Sequence, residues 1–490
     1  MRTAIWHDKK VIFALAAIVL VGAALRIHGL TNQSLWHDEA GNWVRSGFGN
    51  LLTVLDQGER DVHPPAYLVL LYFCRKIMGD SETALRLPSV IFGILTIPLV
   101  FLLGSRVYSH REGLIAASIL AVSWMPLFYS QDATSYAMLL FLTCLTAYLW
   151  IVLVQGLARG SVPLWAGAGY VLSAAACAYT HYFGLFLVCL QAIGLLFLTR
   201  RDRRAWVSAL IVYSLVFILY LPWLDPVVSD LMRTKFRHLR PALSDVMYVF
   251  FCFFNHSSLL MYLFFLMGIT AFLKFIWRKE STTKTFDTLP QISPDALLLL
   301  WFLLPVAIIY IKSLVSVPML KPRYLIISLP AAYLLFARPI TVLFGHWKAR
   351  AAACLLLTGW ILCDLLWGLD YYSKPQKEQV REVVQAIVGR TDFSPEGLLV
   401  VCAHGGWGHE AFNYYLEKNG STRRIDLPVG GEKNYTFRVS KIIEERDPKY
   451  LWFLAGHRKP EREFMEYLYR HYKLEEHRAF HKAGYWLFKK

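Results

Sequence analysis

Long apolar runs separated by short polar loops fill the first three quarters of the chain. A membrane-spanning helix needs about 20 mostly apolar residues. Runs of that kind fall at 10–29, 86–104, 113–128, 136–154, 163–179, 183–199, 206–223, 247–273, 295–312, 323–338 and 351–368. The pattern predicts about eleven transmembrane helices. The first run follows Lys9 and Lys10, but Arg26 and His28 stand where a signal peptide would carry small residues for cleavage, so it reads as a retained helix. The stretch Pro65 to Gly79 is apolar but short, and Arg75 and Lys76 interrupt it. From about Ser373 the pattern changes: no run of spanning length remains, and charges of both signs are frequent.

Positive charge orients this threading. If 65–79 lies in the interface rather than across it, Lys9/Lys10, the loop Ser105 to Arg111, Arg200 to Arg204 and Lys274 to Lys284 all fall on one side. The positive-inside rule makes that side cytoplasmic. The N-terminus is then cytoplasmic and the C-terminal region external. The expected division is a transmembrane domain, 1–370, whose first external loop is 30–85, and an external domain, 371–490. The loop Asp225 to Asp245 is an exception. It carries Arg233, Lys235, Arg237, His238 and Arg240 on the external side, either as a solvated face or as a contact for anionic lipid phosphates.

The region after 373 reads as a small α/β domain: helix 378–388, buried strand 398–402, helix 410–417, then 450–454, 462–472 and 485–489. His404-Gly405-Gly406-Trp407-Gly408 sits between strand and helix. That is a place for an anion or for an ordinary tight turn.

Composition supports the class. The 490 residues are 56% hydrophobic and 15% aromatic, with a formal net charge of +16. Soluble domains carry roughly a quarter charged residues; here the share is 18%. Much of the positive charge lies in short loops, where membrane topology explains it, so nucleic acid is not implied. Seven of the eight cysteines lie in apolar runs and no CxxC occurs, which argues against a disulfide framework or a zinc site.

The external loops collect the polar residues that topology does not explain. The first has Trp36, His37, Asp38, Glu39, Asp56, Glu59, Asp61, His63, Pro64 and Pro65. The second reads Tyr129-Ser130-Gln131-Asp132-Ala133-Thr134-Ser135-Tyr136; then come Thr180-His181-Tyr182 and Lys321-Pro322-Arg323-Tyr324. Ionisable groups near the membrane core are costly and usually functional. Each also has a plain reading. Asp38, Glu39 and Asp132 are suited to cap helices. His63-Pro64-Pro65 is suited to start one, and Lys321 and Arg323 to anchor at headgroups.

In their order, LWHDEA, DVHPPAYLVLL, ALRLPSVIFGILTIPLVFLLGSRVY, YSQDATSYAMLL and KPRYLIISLPA resemble the GT-C glycosyltransferases. The resemblance is to the branch containing glycosyltransferase family 39, the protein O-mannosyltransferases and the bacterial lipid A aminoarabinose transferase. It covers roughly 10–340 and, more loosely, the external domain. One departure is in the second loop, which in this family often reads Gln-Glu-Ala-Arg-x-Tyr; here the acid is Asp132 and the arginine is Thr134.

The resemblance implies a polyprenyl-phosphate-sugar donor and transfer of a hexose or pentose to a glycan, lipid or protein acceptor at the outer face of a bacterial inner membrane, as part of cell-envelope glycan synthesis. A sugar hydroxyl is a poor nucleophile and needs a base within hydrogen-bond reach. Asp38 takes that role by the family's first-loop acid, with Glu39 second. One-step attack would invert the anomeric carbon, the expected outcome. A retaining route would need a second carboxylate, for which Asp132 is the candidate. Lys321 and Arg323 suit the leaving phosphate, and His63, Tyr136, His181 and Tyr324 are further substrate-binding candidates. No cofactor is required with certainty; a divalent cation held by Asp38, Asp132 and His63 is left open. Two other classes compete. A transporter or flippase of lipid-linked sugars would show internal repeats and broken helices; no duplicated half is visible. A receptor with 373–490 as its binding module leaves Asp38-Glu39 without a task. The threading predicts that an alkaline phosphatase fused after Lys490 is active and a green fluorescent protein fused there is dark; the opposite pair of results reverses the topology.

Overall fold

The computed structural model describes residues 8–59, 63–232, 240–278, 292–390, 398–403, 407–429, 435–456 and 460–490. Arg233, Lys235, Arg237 and His238, Asp61, and His404-Gly405-Gly406 lie outside them, so the two anion-site readings that use those residues stay with the sequence. The chain forms two compact units. One comprises 8–28, 55–70 and 86–369; the other comprises 29–54, 71–85 and 370–490. The sequence expectation put the whole loop 30–85 with the membrane part. By packing, most of that loop goes with the C-terminal residues.

The first unit is helical, as the apolar runs demand. Without water, every backbone N–H and C=O must be satisfied within the segment. Among the described residues, eight helices are long and apolar enough to cross a membrane, or ten if each of two bent pairs is one span, which makes the chain a multi-pass membrane protein. The eleven expected segments all fall on helices. The run 163–179 forms Leu164–Thr180, only 17 residues long, and two others are bent. The Pro65–Gly79 stretch forms a helix, Ala66–Met78, of 13 residues, short of a span.

The two bends support each other. His110–Val122 and Trp124–Ser130 meet at 59°, and Leu243–Phe253 meets Ser258–Ala271 at 91°. At the first break Ser123 is extended (ψ 142°), so the Trp124 N–H loses its helical partner. Asn255, at the second break, accepts that N–H at 2.8 Å on Oδ1. Its Nδ2 donates to the Ile361 carbonyl at 3.3 Å. Asn255 and His256 both have positive φ, 55° and 56°, which ends the incoming helix. Asparagine tolerates this backbone better than most residues and brings the amide that closes the gap.

Buried charge in this unit is matched. Arg26 is fully buried and donates to Ser130 Oγ (3.2 Å) and to the carbonyls of Gly22 (2.9 Å) and Ala121 (3.0 Å). Glu112 is held by Arg338 (2.9 Å) and Thr341 Oγ1 (2.6 Å).

The second unit is built on a five-stranded sheet in the order β2-β1-β3-β5-β4. Its strands are β1 (Leu398–Ala403), β2 (Leu427–Val429), β3 (Tyr450–Gly456), β4 (Lys473–Phe480) and β5 (Ala483–Lys489). β1 is buried throughout and pairs in parallel with β2 and β3, which is why Leu-Leu-Val-Val-Cys-Ala reads as a continuous apolar run. β5 runs antiparallel to β3 and leads to the exposed edge strand β4. Helices Tyr435–Arg446 and Arg462–His471 pack Val439, Ile443, Phe464 and Leu468 onto Phe453 and Phe488.

The part of the first loop in this unit is fixed by polar contacts. Tyr415 Oη accepts the Leu35 N–H at 2.6 Å and donates to Glu82. Arg381 donates to the carbonyls of Thr31 (2.8 Å) and Asn32 (3.0 Å) and pairs with Glu82 at 3.1 Å. Arg75 grips both oxygens of Asp80 (2.5 and 2.9 Å). That guanidinium holds the Asp80 carboxyl below its usual range.

Replacing Asn255 with Ala removes the acceptor for the Trp124 N–H while keeping the positive φ. A destabilisation of about 2–3 kcal/mol is expected, read as a lower melting temperature in detergent. Unchanged melting would mean that the bend does not depend on this amide.

Candidate active site

Asp38 and Glu39 lie in the first turn of helix His37–Ser46. The helix N-cap is Trp36, and no side chain caps it. The two acids instead find partners elsewhere in their own unit, and the partners differ. Glu39 is fully buried, with its Oε2 3.1 Å from Nζ of Lys377, itself only 3% exposed. Asp38 is 29% exposed, and its Oδ1 lies 3.1 Å from Nε2 of His37. The other nitrogen of His37, Nδ1, lies 3.1 Å from Oε1 of Glu378. Burial alone would lower the His37 pKa. The hydrogen bonds to Asp38 and Glu378, with their charges, outweigh it and raise the value from 6.5 to about 9. Adjacent residues Lys377 and Glu378 thus hold Glu39 and His37, two neighbours of the proposed base.

In the membrane unit, six of the sequence candidates come together. His63 and His181 have ring centroids 4.6 Å apart. His181 is 5.6 Å from both Tyr136 and Tyr324. The Arg323 guanidinium lies over the rings of Tyr136 (5.8 Å) and Tyr324 (5.5 Å), and Lys321 Nζ lies 5.7 Å from the Tyr324 ring. Phe183 stacks on Tyr324 at 5.1 Å. The result is an aromatic wall carrying two cations.

His181 has a defined tautomer. It lies in the turn between helices Leu164–Thr180 and Tyr182–Thr199, and its Nδ1 accepts the Phe183 N–H at 3.1 Å. The ring proton of the neutral form must therefore sit on Nε2. That atom is buried and has no hydrogen-bond partner among the described residues. Burial, followed by the charges of His63 and Arg323, holds the pKa well below the ordinary imidazole range, so the ring is neutral. It presents one N–H donor.

Asp132 is fully buried. It does not cap the following helix, whose N-cap is Ser135. Thr134, where the resembling family often has arginine, donates through Oγ1 to Asp132 Oδ2 at 2.7 Å. The position of the missing arginine is thus used to hold the acid. Among the described residues, no three His, Cys, Asp or Glu side chains form a metal-binding group.

Sequence reasoning named His37 without giving it a role, and passed over Lys377 and Glu378. The signal for His37 was its place beside Asp38. Nothing local marks Lys377 and Glu378, because their importance comes from what they pack against.

Comparison with known proteins agrees with this architecture. Residues 62–229 match the family described as dolichyl-phosphate-mannose-protein mannosyltransferase. No curated protein matches the chain in sequence. Among solved structures, the chain is similar to ArnT from Cupriavidus metallidurans bound to undecaprenyl phosphate: TM-score 0.58, 13% identity, covering 98% of each chain. It is also similar to the archaeal oligosaccharyltransferase AglB from Archaeoglobus fulgidus in complex with an inhibitory peptide and a dolichol-phosphate: TM-score 0.56, 12% identity, covering 91% of this chain and 70% of that one. A second structure of the A. fulgidus enzyme, tethered to an acceptor peptide, gives TM-score 0.52 at 12% identity, covering 91% and 69%. The chain has the GT-C fold that its motifs imply, and over 62–229 it carries the sequence pattern of the protein O-mannosyltransferases.

Replacing Lys377 with Met leaves Glu39 buried without its cation. That loss is expected to cost about 3–5 kcal/mol, and adding Glu39→Leu is expected to recover most of it. Thermal unfolding of the full chain in detergent measures both. A K377M protein as stable as the parent would show that the pair contributes nothing.

Proposed function

We propose that this protein is a membrane glycosyltransferase that moves a sugar from a polyprenyl-phosphate donor to an acceptor on the outer face of the membrane, with Asp38 as general base. One observation carries the choice of base: of the three candidate carboxylates, Asp38 alone is partly exposed, at 29%. Glu39 and Asp132 are sealed, and an acceptor hydroxyl must reach the oxygen that takes its proton. Glu39 is then an orienter of the helix, and Asp132 a buried structural acid rather than a nucleophile.

The reaction is a single displacement. The acceptor O–H gives its proton to Asp38 as its oxygen bonds to the anomeric carbon. The bond from that carbon to the phosphate oxygen breaks, and the lipid phosphate leaves with the electron pair. Configuration inverts. Charge grows on the phosphate, so preplaced donors lower the barrier. Arg323, Lys321 and the Nε2–H of His181 supply them. A neutral His181 suits this task because it adds a hydrogen bond without repelling the two cations. Tyr136, Tyr324 and His63 give flat faces for a sugar or for the first isoprene units. A lipid phosphate as ligand is supported by the likeness to ArnT and AglB, whose structures hold undecaprenyl phosphate and a dolichol-phosphate. Residues 62–229 support a transferase.

The second reading is a flippase of lipid-linked sugars. The two bent helix pairs favour it, although their breaks are joined to each other through Asn255.

In proteoliposomes with a polyprenyl-phosphate-sugar donor, Asp38→Asn is expected to lower turnover by about 10²–10⁴-fold while donor binding is kept. Transfer at near the parent rate would remove Asp38 as base. Lipid scrambling without any transfer by the parent protein would favour the flippase.

A further inference from the structure

We propose that His37 is a positioning residue for Asp38, and that Glu378, from the C-terminal region, holds it in that role. The inference rests on the reading of Asp38 as base and extends it to two residues outside the reacting atoms.

The argument begins with the ring. Each nitrogen of His37 lies 3.1 Å from a carboxylate oxygen, Nε2 from Asp38 and Nδ1 from Glu378. A carboxylate only accepts, so both contacts are hydrogen bonds only when both nitrogens carry protons. A neutral ring would turn one lone pair toward a carboxylate oxygen. With both carboxylates ionised, the geometry calls for the imidazolium. Trp36 packs edge-on against the ring at 4.7 Å and limits its rotation.

The Glu378 side is rigid. Its side chain is 1% exposed, and its carbonyl accepts from Ser34 Oγ. The preceding residue, Lys377, is tied to Glu39 at 3.1 Å. Among the described residues, the charged groups around this site are Asp38 and Glu39 from helix His37–Ser46; Lys377, Glu378 and Glu382 before and within helix Val380–Ile387; Arg381, which pairs with Glu82 and Glu382; and the exposed Lys482, which donates to the Gln376 carbonyl. The Cys402 thiol on β1 is buried, and burial followed by the charge of Glu378 raises its pKa, so it is neutral and adds no charge. The cation of His37 is thus set between two carboxylates, with the nearby cation Lys377 already committed.

The consequence for Asp38 is specific. A cation on Oδ1 keeps the carboxylate ionised and fixes the plane of the group. The base is aimed, and it does not pick up a proton from solvent before the acceptor arrives. When His37 loses its proton, the cation is gone and only one of the two carboxylates can keep an N–H donor. Burial pulls the His37 pKa down, but its partners raise it from 6.5 to about 9. The stabilisation from the clamp is therefore fully present below about pH 6.5, declines between 6.5 and 9, and is lost as pH rises through about 9.

The test is the pH dependence of kcat/KM for sugar transfer by the full chain, comparing parent, His37→Gln and Glu378→Gln. The parent is expected to show an alkaline limb near pH 9. Glu378→Gln removes one raising partner and is expected to move that limb at least one pH unit lower, a shift that general loosening of the fold would not produce. His37→Gln is expected to lower kcat about tenfold with the donor KM unchanged, and to abolish the limb. Melting temperatures in detergent check folding, and the Glu378→Gln limb stands as the test if His37→Gln does not fold. A limb unmoved in Glu378→Gln, or unmoved in a folded His37→Gln, overturns the proposal. If that happens while Asp38→Asn is inactive, only the positioning role falls. If Asp38→Asn turns over at near the parent rate, the base assignment falls, whatever the limb does.

Discussion

The buried pair between Glu39 and Lys377 is the contact on which the arrangement of the first loop depends. Two desolvated charges 3.1 Å apart gain little net stability over a good apolar pair. What such a pair does well is specify. Parting the pair would leave two buried charges without each other, so it ties helix His37–Ser46 to the C-terminal region. Once Glu39 is seated, the one-residue steps to Asp38 and His37 place one acid toward solvent and the imidazole against Glu378. The neighbouring polar contacts at Tyr415, Arg381 and Gln33 extend the same seating along the chain. Two adjacent carboxylates thus acquire opposite surroundings from a single helix turn.

The membrane unit obeys a different constraint. There the demand is that backbone groups not be left open, even where helices bend. Pro88, Pro98, Pro305 and Pro339 lie inside helices, as membrane helices permit when neighbours satisfy the freed groups. At the sharper breaks, Asn255 does so explicitly. Arg26 answers the same need from the other direction: a buried guanidinium spends its donors on carbonyls of two helices. It makes a structural joint from a charge that the sequence shows only as a residue at the end of an apolar run.

Legibility in the sequence followed the range of the interaction involved. Hydrophobic runs are local, and every expected span fell on a helix, since desolvation of the backbone leaves an apolar stretch no alternative. In the C-terminal region, β1 and β3 were legible for the same reason. β4 was not: Lys-Leu-Glu-Glu-His-Arg-Ala-Phe is an edge strand with one open face, and its polarity hides it. β2 has three residues, too few for a pattern. Helix Tyr435–Arg446 was missed although Val439 and Ile443 are four apart. Within the candidate site, His63, Tyr136, His181, Lys321, Arg323 and Tyr324 were found by type and order, and they do pack together. Lys377 and Glu378 escaped, because a Lys-Glu pair before a helix looks like any solvated surface until the partner across the fold is known.

The two polar groups divide the electrostatic work. Around Asp38 the order is carboxylate, imidazolium, carboxylate, with a lysine on the adjacent acid. On the proposed reading, that series keeps the base ionised through neutral pH. Around Arg323 the order is reversed: two cations, and a histidine that its burial, then the charges of His63 and Arg323, keep uncharged. A third cation there would raise the cost of the empty site, whereas a neutral N–H adds a donor without that cost. Proton acceptance and phosphate departure make opposite demands on local potential. On the proposed reading the two tasks fall to separately packed sets of residues, and the same side-chain type, histidine, is charged in one set and neutral in the other.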